Sequence, residues 1–461
     1  FSCYTNRMYF SRLNSNGTEN YRFTIVKIAL PIILSSLISQ VQMLIDRIFL
    51  GKLDVIYMSA VGNATAPMWT TISAIFALTT GTTILASQAI GKEDNTKALE
   101  FMASLFKYNN FLSIILFIFW ALCPKLVYTA MGVSPEVMVY AVQYTVIYSP
   151  VFVVTGIGAG INSLLQVCSY TKPLVVTGII RSLLNVILDW LLIFGNCGFP
   201  AMGVAGAALA TTIAEFAGGT VLILIVVKSK RLEHRPSIAQ ICSAKLRPFI
   251  DAIKMGFPSA AEDFAWNIGN LLLIRILNFI SPVAAGVYTI VFGIEVIPVA
   301  IFGSLGNATL TLTGRETGKK DFVQLHKIVH TVMAWAIIVS FANLALYVLF
   351  PKPIMGLFTK DASIISMALV YITIIGIDLF PKSLNIIVGS GIRGFGDTKW
   401  MLYTQLFGTV FVVAVASLLV FVLKLGIAGV FAAVVCDEAV RCVINSLRFK
   451  RIGKVEPKKS K

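Results

Sequence analysis

Charge is scarce in this chain. Asp, Glu, Lys and Arg make up 13% of its 461 residues, where a soluble domain of this size carries roughly a quarter. Only 22 acidic residues face 38 basic ones, and there are just 3 histidines. The seven cysteines (Cys3, Cys123, Cys168, Cys197, Cys242, Cys436 and Cys442) lack metal-ligand spacing. Most lie in or beside apolar segments, so neither a disulfide framework nor a zinc site is implied. No phosphate loop, catalytic triad or metal motif is found, so no enzyme, no ATP hydrolysis and no cofactor are expected. The first 27 residues are polar and basic without an apolar core, so no cleavable leader is expected either. The sequon Asn16-Gly17-Thr18 lies in this tail and reads as chance.

What the chain does have is apolar sequence: 57% of it is hydrophobic. The apolar residues fall in runs of about 20 or more, separated by short charged clusters, as helical membrane spans require. Length and loop chemistry predict an all-α polytopic membrane protein with about twelve spans, from 28–51 through to 426–447. A net charge of +16 is what a nucleic-acid-binding chain also carries. Here the basic residues instead occupy alternate loops and both tails, which is the positive-inside pattern. Arg7, Arg12, Arg22 and Lys27 mark the first tail. The expectation is an inner (plasma) membrane protein with both termini cytoplasmic, no nucleic-acid partner, and lipids around it.

A repeat organises these spans. Pro31 and Pro258, Gly91 and Gly318, Pro124-Lys125 and Pro351-Lys352, and Thr171-Lys172 and Thr398-Lys399 each lie 227 residues apart. A fifth pair slips slightly, with "GVAGAALAT" from Gly203 answering "GIAGVFAAV" from Gly426. Four landmarks in one register predict two six-helix lobes, which are parallel repeats because six is even. The divisions are a tail at 1–27, an N-lobe at 28–227, a basic linker at 228–251, a C-lobe at 252–447 and a second basic tail at 448–461. Such repeats place substrate between the halves near the midplane, in a central cavity, and so point to a transporter.

The fifth span, 173–195, carries Arg181, Asn185 and Asp189 at i, i+4 and i+8, one polar stripe on a helix. A carboxylate at membrane depth costs several kcal/mol unless it is paired or wet, which marks it as a functional candidate. The plainer alternative is a hydrogen bond between packed helices.

With Pro-x14-Asp in the first span, "SQAIGKEDNTKA" after the second, "LLNVILDWLLIFG…GFPAMGVAGAALATT" through the fifth and sixth, and "SGIRGFGDTK" later, the chain resembles the multidrug and toxic compound extrusion (MATE) antiporters. The stretch "VFGIEVIPVAIFG" is most similar to their DinF branch. The resemblance implies a cation-coupling site in the N-lobe, at Asp46, Asn185, Asp189 and Thr211. Pro31 stands where the family's bending proline does, and Asn162 where a fourth-span asparagine does. It also implies export of cationic, aromatic compounds driven by H⁺ or Na⁺. One departure concerns the second lobe. Glu262 and Asp263 lie closer to Pro258 than the NorM pattern wants, and Lys382 falls where a tenth-span acid belongs.

The residues support the first-lobe site on their own terms. Asp46 lies 19 residues beyond Lys27 and Asp189 lies 16 beyond Pro173, or roughly 28 and 24 Å of helix. Both acids therefore reach a similar depth in the outer half. Two acids in one poorly solvated pocket cannot both ionise cheaply, so the pair can take a proton. Na⁺ is the alternative, with Asn185 and Thr211 supplying neutral oxygens. At the repeat offset Asp46 maps to Leu273, Asn185 to Val412 and Asp189 to Ala416, so the second half is expected to hold nothing comparable. Arg181 is expected to snorkel towards the cytoplasmic face.

In the second half Asp378 and Lys382 read as an i, i+4 pair around Pro381, either self-neutralising at a kinked helix or a place where Lys382 and a cationic substrate displace one another. Glu262 and Glu295 read as mid-membrane counter-charges for a cationic ligand, or as packing. Asp437, Glu438 and Arg441 read as self-neutralising. Trp69, Trp266 and Phe292 are candidate cavity walls, or plain packing. The functional expectation is a monomeric secondary antiporter for cationic or amphipathic compounds, exchanging them for H⁺ or Na⁺. The competing reading is a lipid-linked saccharide flippase, which would need several deep basic groups for a pyrophosphate.

Overall fold

The structure is a computed structural model that describes residues 21–51, 55–232, 234–356 and 362–453. Arg7, Arg12, the sequon, Cys3 and the last eight residues of the second tail lie outside the described residues. Sixteen α-helices follow one another. The first eight are α1 (Tyr21–Gly51), α2 (Val55–Gly91), α3 (Asn95–Leu122), α4 (Pro124–Ala130), α5 (Pro135–Tyr148), α6 (Val151–Val167), α7 (Lys172–Leu192) and α8 (Val204–Lys228). A short α9 (Ile238–Ser243) lies in the basic linker. Then come α10 (Leu246–Ile280), α11 (Pro282–Lys319), α12 (Phe322–Leu349), α13 (Pro351–Gly356), α14 (Ala362–Phe395), α15 (Thr398–Ser417) and α16 (Gly426–Lys450). The described residues contain no strand, because a backbone within hydrocarbon must satisfy its polar groups inside the segment.

Among the described residues nine helices are long and apolar enough to cross a membrane, and α5 with α6 makes a tenth span bent by 48°. The bend falls at Ser149–Pro150, where proline has no N–H to continue the ladder. Two of the twelve expected spans fail the apolarity test although their helices are long enough. These are α10, which carries Glu262, Asp263 and Arg275, and α16, which carries Asp437, Glu438 and Arg441. Their shortfall is a matter of side chains, and those side chains reappear below.

The contacts divide the described chain from Val26 on into two compact units, one of residues 26–257 and one from residue 258 onward. Each unit shows the same local solutions at the repeat offset. Glu93 and Lys320 both take φ 61°. Asp94 and Asp321, directly after them, both cap a helix by accepting a backbone N–H, from Lys97 at 3.0 Å and Gln324 at 2.9 Å. Such caps satisfy donors that the first helical turn leaves open. The Asp94 carboxyl is held below its ordinary range by the Lys97 backbone N–H and ammonium.

In the first unit α1 and α7 are tied at their start. The buried Thr171 hydroxyl donates to Ile28 O at 2.9 Å. Further along, a Cβ on Gly178 of α7 would come within 3.1 Å of Ser35 Oγ on α1. That close passage brings the polar faces of the two helices together.

Candidate functional site

The polar stripe predicted on α7 meets a second stripe on α1, formed by Ser35, Ser39, Gln42 and Asp46, and a third on α8, formed by Thr211 and Glu215. All are spaced by one helical turn, so each set shares a face. Asp189 (1% exposed) and the half-buried Asp46 are in side-chain hydrogen-bond contact. Two carboxyl groups can share such a contact only when one of them carries a proton. Each acid keeps its Oδ1 buried without a hydrogen-bond partner among the described residues. Tyr144 of α5 lies within electrostatic range of both acids.

One turn along α7, the fully buried Asn185 braces three helices. Its Oδ1 accepts from Gln42 Nε2 of α1 at 2.8 Å, and its Nδ2 donates to Thr211 Oγ1 of α8 at 3.3 Å. Ser182 Oγ in turn donates to Gln42 Oε1 at 2.7 Å. Asn185 and Thr211 thus belong to one network, in which one lone pair of each oxygen is already spent on a brace. Thr211 also donates to Ala207 O at 2.9 Å. No cluster of three or more His, Cys, Asp or Glu that could hold a metal ion occurs among the described residues. An all-oxygen donor set here would suit a hard cation.

Arg181 does not snorkel. Its Nη1 pairs with Glu215 Oε2 of α8 at 3.3 Å and its Nη2 donates to Ser39 Oγ of α1 at 2.8 Å. A partner inside the membrane removes the reason to reach for the surface. Asn162 is not joined to the network either; its Oδ1 accepts from Gln166 Nε2 on its own helix at 2.9 Å. Sequence reasoning passed over Gln42, Ser39, Ser182 and Glu215. The signal that could have found them is a row of polar residues at helical spacing inside an apolar helix.

The second unit corrects the expectation that it holds nothing comparable. Lys382 of α14 is in ion-pair contact with Glu295 of α11, and it lies 2.8 Å from Asp378 one turn before it. Its ammonium also sits 5.4 Å from the centre of the Phe292 ring. On α16, Arg441 Nη2 is 2.8 Å from Asp437 and 2.9 Å from Glu438. Asn385 of α14 ties that helix to the second group by donating to Glu438 Oε2 at 3.1 Å. Asp378 and Glu295 are 0% and 2% exposed, and Lys382 8%. Four acids against two bases leave this cluster two positive charges short when all are ionised. Glu262 stands apart from it, paired with Arg393 of α14.

A cavity of about 40 Å³ opens beside the cluster, walled by Trp266 and Phe292 on one side and by Lys382, Asp437, Glu438 and Arg441 on the other. That is room for a few waters at roughly 10–15 Å³ each. Leu273 and Val412, the counterparts of Asp46 and Asn185, also line it. The repeat thus puts the same backbone positions beside a polar pocket in each unit but supplies the charges from different helices. Trp69, the third candidate wall residue, does not line this cavity.

The chain is similar to the transporter YisQ of Bacillus subtilis, described as uncharacterized, with 27% identity over 87% of this chain and 90% of the relative. It is also similar to the probable multidrug resistance protein NorM of Thermotoga maritima, with 26% identity over 93% and 92%. A solved structure of the outward-facing conformation of a multidrug resistance MATE family transporter matches with a TM-score of 0.85 at 20% identity, covering 94% of this chain and 97% of that one. The MatE family pattern matches twice, over residues 31–191 and 258–418, two segments in the same 227-residue register as the landmark pairs. Together the two segments take in well over half of the sequence, and the chain belongs to the MatE family, a multi-pass membrane transporter and not an enzyme.

Proposed function

We propose that this protein is a secondary antiporter that exports cationic or amphipathic compounds in exchange for H⁺ or Na⁺, with Asp46 and Asp189 as the coupling pair. The observation that carries the reading is the carboxyl–carboxyl contact between α1 and α7. Ionising both acids there would set two like charges against each other in a poorly solvated seam. Loading the pair with a proton or a hard cation removes that repulsion and lets α1 and α7 close. Ligand binding can shift a conformational equilibrium only by such a difference in affinity between states. Pro31 stands 15 residues before Asp46 within α1, where a missing backbone bond gives the helix a place to bend. The two lobes, the cytoplasmic termini, the DinF-like stretch and a monomeric state belong to the same reading.

We read the proton as the better fit of the two ions, because Gln42 and Asn185 already donate to Asn185 Oδ1 and Thr211 Oγ1 and leave one lone pair on each for a metal ion. In the second unit Lys382 occupies a carboxylate-lined position as a tethered cation, and a cationic substrate is the natural competitor for Glu295 and Asp378. The flippase alternative is disfavoured. Its pyrophosphate needs free basic groups, whereas Arg181 and Lys382 are each held by carboxylates.

The test is efflux of a cationic dye from proteoliposomes under separately imposed gradients. A proton gradient alone is expected to drive uphill movement, and a sodium gradient alone to drive little. Transport driven by sodium alone would reassign the ion. Movement independent of both gradients would remove the antiport reading.

A further inference from the structure

In each unit a guanidinium lies over a glycine of the neighbouring helix and meets a glutamate of the last long helix; in the first unit that pair joins α7 to α8, and in the second both partners lie on α16. In the first unit Arg181 on α7 lies over Gly218 of α8, where a Cβ would be 3.1 Å from Arg181 Cβ, and reaches Glu215. In the second unit Arg441 on α16 lies over Gly408 of α15, where a Cβ would be 2.5 Å from Arg441 Cδ, and reaches Glu438. The register of 227 aligns Gly408 with Arg181. The register of 223 set by Gly203 and Gly426 aligns Arg441 with Gly218 and Glu438 with Glu215. The glutamate keeps its place, while arginine and glycine have exchanged helices. In the second unit it is Gln405 of α15 that ties the two helices, by accepting from Arg441 Nη1 at 2.8 Å.

We propose that Arg181 and Glu215 form a positioning pair for the coupling acids. Arg181 ties α7 to Glu215 on α8 and to Ser39 on α1, one turn before Asn185 and two before Asp189 on the same face. It sets the rotation of α7 against both neighbours and thereby the approach of Asp189 to Asp46. This rests on the antiport reading above.

The experiment compares proton-driven dye efflux in four variants, with melting temperature and detergent-extracted yield as checks on folding. Arg181→Gly and the isosteric Glu215→Gln are expected to lower the maximal rate by on the order of 10–100-fold, as small misplacements of reacting groups do, with a smaller change in the half-saturating dye concentration. The charge swap Arg181→Glu with Glu215→Arg keeps an ion pair between α7 and α8 and is expected to restore the rate to within about three-fold of the original, a pairwise rescue that additive effects cannot produce. Wild-type rates in both single variants, or no rescue by the double variant, would overturn the proposal. Should Arg181→Gly fold poorly, Glu215→Gln and the double variant still decide it. The fourth variant, Asp189→Asn, keeps the two readings separate. Normal transport in that variant removes the coupling site itself, whatever Arg181 does.

A second observation stands independently of transport. At the end of α8 an open groove of about 520 Å³ is floored by Val221, Leu224 and Ile225 and rimmed by Lys228, Lys230 and Arg231. Its volume lies within the roughly 300–1,000 Å³ of small-molecule sites. Arg231 packs 5.5 Å from the centre of the Tyr170 ring. Among the described residues no carboxylate pairs with the three cations. The carbonyls that end α8 are already taken by Arg235, whose Nη1 donates to Val226 O at 2.8 Å and Val227 O at 2.6 Å. Neither ion pairing nor helix capping therefore accounts for the three charges. We infer that the groove binds an anionic phospholipid of the leaflet to which the charge bias assigns this loop, its phosphate on the basic rim and an acyl chain along the half-exposed Leu224.

Phosphatidylglycerol retention after detergent extraction, measured by native mass spectrometry, tests this. Replacing Lys228, Lys230 and Arg231 together by Gln is expected to weaken retention on the order of 100-fold, at roughly five-fold per basic residue near an anionic surface. Removing the same charge elsewhere, at Lys399, Lys450 and Arg451, should leave it unchanged. Retention equal in both triple variants, displacement of the lipid by inorganic phosphate alone, or equal retention of phosphatidylcholine would overturn the site.

Discussion

Asp189→Asn, and separately Asp46→Asn, is expected to reduce proton-driven efflux to that of protein-free vesicles while the protein remains folded. The amide keeps the volume of the carboxyl and can still hydrogen-bond to the remaining acid, so the seam between α1 and α7 stays packed. The brace formed by Asn185 with Gln42 and Thr211 is untouched. Stability should therefore change by less than about 1 kcal/mol, the worth of an ordinary hydrogen bond. What disappears is the ability of the pair to be charged in one state and neutral in the other, and with it the difference in affinity that couples ion to shape. Asp189→Leu makes the contrast. It removes the partner of Asp46 as well as the charge, and should cost about 1–3 kcal/mol of stability on top of the loss of transport. Melting curves for the three variants separate the effects. Uphill efflux at the original rate in Asp189→Asn would show that the contact is only helix packing.

How much of this was legible in the sequence depends on what kind of geometry each feature needs. The repeat could be read because its landmarks are punctuation: prolines, glycines and caps whose backbone demands are local, as the matched φ of 61° at Glu93 and Lys320 shows. The meeting of Asp46 with Asp189 could be read because depth follows from counting residues along two helices. Which neighbours a stripe faces is a different matter, since it depends on the rotation of each helix in its packing. Gln42 and Glu215 were therefore out of reach, and Arg181 was sent to the surface when its partner lay on α8. The parts of the second-unit cluster that lie within one helix, Asp378 with Lys382 and Asp437 with Glu438 and Arg441, were legible by their spacing, whereas their assembly with Glu295 was hidden for a related reason. Its members come from α11, α14 and α16, and their repeat counterparts include Met68 for Glu295 and Thr155 for Lys382. Looking only where the first unit keeps its acids found Leu273, Val412 and Ala416, and two of those turned out to line the same cavity.

The cluster leads to the other large effect, at Lys382. Lys382→Met keeps a long flexible side chain and removes the only cation that contacts both Glu295 and Asp378 among the described residues. Leaving a buried charge without its partner costs about 3–5 kcal/mol. For a unit of about 200 residues that is a drop in melting temperature of roughly 6–20 °C. Adding Glu295→Gln and Asp378→Asn removes the stranded charges and should recover most of that loss, because a neutral hydrogen-bonded set has no ion left to desolvate. The neutral triple variant then separates two roles for the lysine. A counter-ion that merely braces α11 against α14 could be replaced along with its partners, and a cationic dye would still be exported at the original rate. A tethered cation standing in the place of substrate could not, because the carboxylates that a cationic substrate must capture would be gone. We expect the triple variant to be folded, to lose export of cationic dyes, and to keep proton movement through Asp46 and Asp189. Unchanged cationic efflux in a triple variant with restored stability would leave the second-unit cluster as a structural brace and place substrate recognition elsewhere.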